Sequence, residues 1–164
     1  MNIALEKTEA LIFSENNQVP TQSLICNNKV LKITTNKKIL GITVDDKLSF
    51  KQHNKEKLKQ SFKALNSLDR FLGKTNGVSQ TLYMRLYKAL VLPIMEYGTA
   101  ATVTDTDKAT KELESVQRSA MIKASGCLPS ASTVALEVLT NTLPFNIHMR
   151  MRQAQEMVRI VKKL

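Results

Sequence analysis

The sequence predicts an α+β fold, in which a small antiparallel β segment is followed by a bundle of four to five helices. Up to about residue 46, short runs rich in Val, Ile and Leu alternate with Asn-rich breaks, which is the pattern of short strands. From about residue 49 the apolar residues recur every three to four positions, which is the period of helices packed on one face. We therefore expect two regions, residues 1–46 and residues 47–164, that meet just after Asp45–Asp46.

Four segments of the first region are predicted to be strands: residues 10–14, 23–27, 29–35 and 38–44. Each is a short apolar run bounded by polar residues, which is typical of strands in a small sheet. The pair Asn27–Asn28 tolerates the positive φ of a tight turn, so it predicts a β-hairpin at residues 26–29.

Five segments of the second region are predicted to be helices: about residues 49–72, 79–92, 106–125, 131–140 and 145–164. Local chemistry marks several of their ends. Ser79 can cap the second helix, and Pro93 is expected to disturb its last turn. Gly126 suits the left-handed residue that follows the third helix.

The apolar period also predicts which residues form the inward stripes of these helices. They are Leu58, Phe62, Leu65, Leu68, Phe71 and Leu72 on the first helix, Leu82, Leu86 and Leu90 on the second, Leu113, Val116, Ala120 and Ile122 on the third, and Ile147, Met151, Ala154, Val158 and Val161 on the last. Tyr83, Tyr87 and Tyr97 lie at helical spacings and are interpreted as packing residues.

The charge of the chain is strongly positive. It has 24 Lys and Arg against 14 Asp and Glu, a net charge of +10, which favours polyanionic partners such as nucleic acid. The longest apolar run, residues 89–95, is much shorter than the roughly 20 residues of a membrane-spanning helix, so we expect no membrane insertion. The N-terminus does not have the pattern of a secretory signal, and we therefore expect the nucleus or the cytoplasm.

The first predicted helix carries much of this charge. Residues 47–74 contain eight basic and two acidic residues, and Lys51, Lys55, Lys59 and Lys63 recur every four positions on one face. Such a row of ammonium groups can follow the phosphates of a nucleic acid, or it can simply be a solvated face. Few aromatic residues interleave with the lysines, so the pattern favours contacts with the nucleic-acid backbone over stacking on bases.

The segment "TVDD" at residues 43–46 superficially matches the aromatic-x-Asp-Asp loop in which polymerases hold metal ions. Two-metal chemistry needs carboxylates from separate segments, and no second segment of this kind is visible, because Asp105 and Asp107 suit a helix N-terminus. A turn at the end of a strand is the favoured interpretation of Asp45–Asp46. The cysteines and histidines, Cys26, Cys127, His53 and His148, lack the spacing of metal ligands, and the two histidines are expected to be exposed or at the edge of the core.

Residues 5–13, 38–71, 87–98 and 113–126 resemble, in this order, the end of the reverse transcriptase of non-LTR (LINE-type) retrotransposons. The resemblance covers most of the chain. It departs from the family at Ala4, where an Asn is usual, and after residues 96–98, where the family has a Trp.

The resemblance implies a role for each segment. Lys7 would lie near the phosphates of the incoming nucleotide, in the last strand of the palm. Residues 39–45 would form the hairpin called the primer grip, in which Leu40 and Gly41 are expected to contact nucleic acid. The remainder would be the thumb and connector, and the first thumb helix would place Lys51, Lys55, Lys59 and Lys63 along the primer–template duplex.

The metal-binding aspartates of the family would precede Met1, so the resemblance implies a fragment that binds an RNA–DNA or DNA duplex but does not polymerise alone. The resemblance implies no cofactor on this chain, since Mg²⁺ is expected only for an intact polymerase. It also implies that the missing N-terminal polymerase part is a partner. Two alternatives stay open: a helical protein-interaction module with a solvated lysine face, and an enzyme whose Mg²⁺-dependent activity would be lost in Asp46→Asn.

Overall fold

The computed structural model describes residues 8–13, 24–26, 29–72, 78–98 and 107–162. Its contacts divide the chain into two compact units, an N-terminal unit, Met1–His53, and a C-terminal unit, Asn54–Leu164. The described strands belong to the first unit, and the helices follow them along the chain. The predicted α+β class is therefore confirmed. The division falls inside the first turn of a helix, whereas the change of composition lies at Asp45–Asp46.

The strands of the N-terminal unit are short and pair two by two. They are β1 (Glu9–Leu11), β2 (Ile25–Cys26), β3 (Lys29–Val30), β4 (Lys32–Thr34), β5 (Asn36–Ile39) and β6 (Ile42–Asp45). The pairs β2–β3 and β5–β6 are antiparallel, as predicted, but β1 and β4 are parallel, with Ala10 opposite Ile33. A parallel pair is possible here because a long connection separates the two strands in sequence.

Residues 38–44 form most of a hairpin and not the single strand that their apolar pattern predicts. The turn lies at Leu40–Gly41, and Ile39 pairs with Ile42 across it. Cys26 pairs with Lys29 in the antiparallel pair predicted for residues 26–29, although Asn27 and Asn28 lie outside the described residues.

The helices are α1 (Lys51–Leu72), α2 (Gln80–Leu86), α3 (Leu92–Glu96), α4 (Asp107–Ser125), α5 (Thr133–Leu139) and α6 (Phe145–Val161). Two predicted ends are confirmed. The Ser79 hydroxyl accepts a hydrogen bond from the Leu82 N–H at 3.3 Å, and Gly126 follows α4 with a φ of +69°. Within the described residues, no helix is long and apolar enough to cross a membrane.

One turn of π-helix, Tyr87–Val91, joins α2 to α3. Pro93 lies two residues after this turn, at the place where the sequence predicts that the helix is disturbed. Proline has no N–H, and its ring clashes with the carbonyl four residues earlier, here that of Ala89, so the regular hydrogen-bond ladder cannot continue. The wider turn accommodates this break while the segment remains helical.

The C-terminal unit has one hydrophobic core to which all of its longer helices contribute. The buried residues are Leu65, Leu68, Tyr83, Met84, Tyr87, Val91, Met95, Leu113, Val116, Ala120, Met121, Leu136, Phe145 and Met149. The predicted inward positions of α4 are confirmed at Leu113, Val116 and Ala120. Leu82 and Leu90, which were expected to face inward, are exposed, and the neighbouring residues Tyr83, Tyr87 and Val91 occupy the core face instead.

Two other predictions of inward-facing residues, on α1 and α6, are also wrong. Phe71, near the end of α1, is 83% exposed. On α6 the predicted stripe from Ile147 to Val161 faces away from the core, and Phe145 and Met149 are buried instead. This helix has apolar residues on two faces, and the shorter face is the one that packs.

Asp69 ties three helices of the C-terminal unit together. Its carboxylate accepts a hydrogen bond of 2.5 Å from the Tyr83 hydroxyl of α2 and forms an ion pair with Lys123 of α4. Burial, reinforced by the hydrogen bond to Asp69, raises the pKa of Tyr83 far above its usual value. The Tyr83 hydroxyl, as the donor to Asp69, links α2 to α1.

Candidate nucleic-acid interface

The most prominent charged feature of the structure is a row of four lysines along α1, here called the lysine ridge: Lys51, Lys55, Lys59 and Lys63. All four side chains are exposed. A spacing of four residues places them on one row of the helix surface, which is inclined by about 26° to the axis. The row extends over about 18 Å of helix, comparable to about five base-pair steps of a duplex.

Among the residues that the structure describes, the lysine ridge has no acidic partner. Within the described part of the chain, no carboxylate lies within 4.0 Å of any of its four ammonium groups. Other lysines do form ion pairs: Lys32 and Lys37 with Glu9, and Lys123 with Asp69. Within the described ranges, the four exposed ammonium groups of the ridge thus differ from Lys32, Lys37 and Lys123 in having no carboxylate partner.

The opposite side of α1 is anchored. Leu65 and Leu68 lie in the core, and the buried Ser61 hydroxyl donates a hydrogen bond of 2.8 Å to the Lys57 carbonyl. Lys57 itself does not belong to the ridge, since its ammonium group lies 4.4 Å from the centre of the Tyr97 ring, in a cation–π contact. The prediction of packing tyrosines is confirmed at the buried Tyr83 and Tyr87, whereas Tyr97 is 48% exposed. Because α1 is held on one side, the ridge faces outward in a defined orientation.

The turn of the β5–β6 hairpin carries two of the predicted binding residues. Leu40 has a φ of +49° and Gly41 a φ of +83°, as in the two-residue turns with two left-handed positions that close hairpins. Glycine adopts this conformation without strain, but leucine does not. The Leu40 side chain is also 89% exposed. Leu40 is thus a strained and largely exposed leucine at the tip of a hairpin.

Asp45 ends β6 and stabilises the turn that leads into α1. Its carboxylate accepts hydrogen bonds from the Ser49 hydroxyl at 2.7 Å, the Ser49 N–H at 3.0 Å and the Phe50 N–H at 2.7 Å. Burial alone would raise the pKa of Asp45, but these hydrogen bonds outweigh it and lower the pKa below its usual value. The predicted turn at Asp45–Asp46 is confirmed.

The histidines also have structural partners. His53 is buried, contrary to the expectation of an exposed or core-edge position, and its Nδ1 accepts a hydrogen bond from the Thr43 N–H at 3.3 Å. His148 is half-buried and hydrogen-bonded to Glu96. Among the described residues, no group of three or more His, Cys, Asp and Glu side chains is arranged to hold a metal ion.

The structure places the predicted binding residues on two elements. Leu40 and Gly41 form the tip of the β5–β6 hairpin, and the four lysines of the ridge lie on α1. Lys7 lies outside the described residues. The sequence did not reveal the cluster of Glu96, His148 and Arg152, because Glu96 is more than 50 residues away from the other two and shares no motif with them.

No protein-family model matches the chain, and no curated protein or solved structure is significantly similar to it.

Proposed function

We propose that the chain is the end of the palm and the thumb of a retrotransposon-like RNA-directed DNA polymerase, and that it binds the backbone of a primer–template duplex. The observation that supports this proposal best is the lysine ridge: four exposed ammonium groups on one row of an anchored helix, without an acidic partner among the described residues. Ammonium groups that neutralise phosphates release condensed counterions, and this release favours binding without reading the base sequence.

In this proposal the chain contributes binding and positioning, and the reactive carboxylates with their Mg²⁺ belong to a separate polymerase region. Asp45 supports such a division of roles, because both of its carboxylate oxygens already accept hydrogen bonds from Ser49 and Phe50. We propose the nucleus or the cytoplasm as the site of action, where nucleic acid is present.

The test of the lysine ridge uses affinity for a short RNA–DNA duplex, measured by fluorescence anisotropy over a series of salt concentrations. Replacing Lys51, Lys55, Lys59 and Lys63 together by glutamine removes four positive charges with little change in side-chain length. We expect affinity to fall by at least about tenfold, and the slope of log affinity against log salt to decrease by about four, one for each phosphate that is no longer neutralised.

The matched control removes four exposed positive charges outside α1, by glutamine substitution of Arg85, Lys111, Arg150 and Lys162. It should retain most of the affinity and of the salt slope. If both variants lose the same affinity, only the net charge matters and the ridge is not the binding surface. If the ridge variant binds like the parent chain, the lysines are a solvated face, as the interaction-module alternative requires.

The Leu40→Asn substitution separates stability from binding at the hairpin tip. Asparagine tolerates a positive φ, so the hairpin should become more stable by about 0.5–1 kcal/mol, measured by hydrogen exchange of the β5 and β6 amides. If the exposed Leu40 side chain packs against the primer, duplex affinity should nevertheless fall by about fivefold, the equivalent of about 1 kcal/mol of apolar burial.

Leu48→Asn is the control for Leu40→Asn, since Leu48 is also an exposed leucine with a positive φ, +52°, but lies outside the hairpin. It should relieve strain without weakening duplex binding. If Leu40→Asn leaves the duplex affinity unchanged, the hairpin tip is not part of the binding surface. The proposal then depends on the lysine ridge alone.

A further inference from the structure

The face of α6 that points away from the core carries five apolar residues, here called the α6 stripe: Ile147, Met151, Ala154, Val158 and Val161. All five are exposed, with exposed fractions of 47% at Ile147, 46% at Met151, 53% at Val158 and 69% at Val161. On the opposite side of the same helix Phe145 and Met149 are buried, whereas Ile160, near its C-terminal end, is 60% exposed. The stripe is therefore additional apolar surface that the described fold does not use.

The spacing of the α6 stripe is that of a coiled-coil seam. Successive members are separated by four, three, four and three residues, which corresponds to positions d, a, d, a and d of two heptads. The seam is about 21 Å long. Met151 and Val158 occupy its a positions, and Ile147, Ala154 and Val161 occupy its d positions. The α6 stripe is therefore suited to pack against a second helix.

The charges beside the seam indicate what kind of helix would bind to it. The described residues at the flanking e and g positions are His148, Arg150, Gln155, Met157 and Lys162. None is acidic, and Arg150 and Lys162 are both exposed and positive. A second copy of the chain would bring the same basic flanks together without a compensating carboxylate. A helix with Glu or Asp at its own flanking positions would instead form ion pairs with them.

A lipid surface fits the α6 stripe less well. Helices that lie in a membrane interface usually present Trp, Phe or Leu on the inserted face. The stripe contains none of these, and consists of Ile, Met, Ala and Val at strict seam positions.

We propose that the α6 stripe docks an amphipathic helix of another protein, with apolar residues at its a and d positions and acidic residues at its e and g positions. This site is distinct from the lysine ridge, which lies on α1. The chain would then carry a protein-docking surface in addition to the proposed nucleic-acid surface.

The experiment uses the full chain and a designed helical peptide with Leu and Ile at a and d and Glu at e and g. A second peptide with Lys at e and g is otherwise identical. Isothermal titration calorimetry should show binding of the acidic peptide and at least about tenfold weaker binding of the basic one. Met151→Glu with Val158→Glu should lower affinity for the acidic peptide by at least about tenfold. Both positions are exposed, so the variant is expected to keep its circular dichroism spectrum.

Three controls locate the effect. Val134→Glu with Val138→Glu places the same charges at exposed apolar positions of α5 and should leave binding unchanged. The glutamine variant of the lysine ridge should also bind the acidic peptide normally. Arg150→Glu with Lys162→Glu should reverse the preference, so that the basic peptide binds better than the acidic one.

Several results would overturn the proposal. These are no binding of the acidic peptide, equal binding by the Met151→Glu, Val158→Glu variant, or loss of binding in the ridge variant alone. Sedimentation velocity that shows a dimer of the parent chain, dissociated by the stripe substitutions, would assign the stripe to self-association. Stripe-dependent binding to phosphatidylserine vesicles, without peptide binding, would assign it to a lipid surface.

Discussion

Replacing Leu65 by alanine is expected to destabilise the C-terminal unit by about 3–5 kcal/mol, as measured by urea unfolding followed by far-UV circular dichroism. Leu65 has no exposed surface and belongs to the core that α1 shares with the other helices. The substitution removes the transfer free energy of the deleted carbon atoms and leaves a cavity among side chains that relax only in part.

The control for Leu65→Ala is Phe71→Ala, on the same helix and in the same predicted apolar stripe. Because Phe71 is 83% exposed, the decrease in stability should stay within about 0.5 kcal/mol even though the side chain is larger. A decrease at Phe71 equal to that at Leu65 would contradict the packing described for α1.

Removing the carboxylate of Glu96 by alanine substitution is expected to destabilise the same unit by about 1–3 kcal/mol. The Glu96 side chain is only 13% exposed. It accepts hydrogen bonds from Arg152 Nε at 3.1 Å and Nη2 at 2.8 Å, and it also pairs with His148. Its removal leaves His148 and Arg152 of α6 without this acceptor, so a polar link between α3 and α6 is lost.

Glu156→Ala provides the comparison for Glu96→Ala, because Glu156 contacts only a neighbour on its own helix in an ion pair. That pair, with Arg159 at 3.8 Å, is largely exposed, and its removal should change the free energy of unfolding by less than about 0.5 kcal/mol. The interpretation of the Glu96 cluster as a clamp between helices requires a clear difference between the two variants in urea unfolding.

Local chemistry explains why the fold class and many helix ends could be predicted. Ser79 caps α2 and Gly126 ends α4 through contacts within a few residues, and such contacts depend little on the rest of the fold. The β5–β6 hairpin shows the opposite case. Its turn begins with Leu40, which does not signal a positive φ as Asn would, so the apolar pattern alone suggested one strand.

The choice between two apolar faces could not be predicted from periodicity. On α6 the longer stripe, from Ile147 to Val161, is exposed, whereas Phe145 and Met149 pack inward. Which face is buried depends on neighbouring helices that a single-helix pattern does not contain. The lysine ridge was predictable because four residues at a constant spacing share a face of any regular helix, but the Glu96 clamp joins residues distant in sequence.

The π-helical turn at Tyr87–Val91 has a consequence for the helices on either side of it. This turn contains one residue more than a regular α-helical turn. It therefore rotates the side chains of α3 about the helix axis relative to those of α2. Tyr87 and Met95 consequently lie on a common side, where the tyrosine hydroxyl donates a hydrogen bond of 3.6 Å to the methionine sulfur. The π-helical turn thus changes the helical phase between α2 and α3. As a result, residues of both helices face the same core although Pro93 interrupts the regular helix.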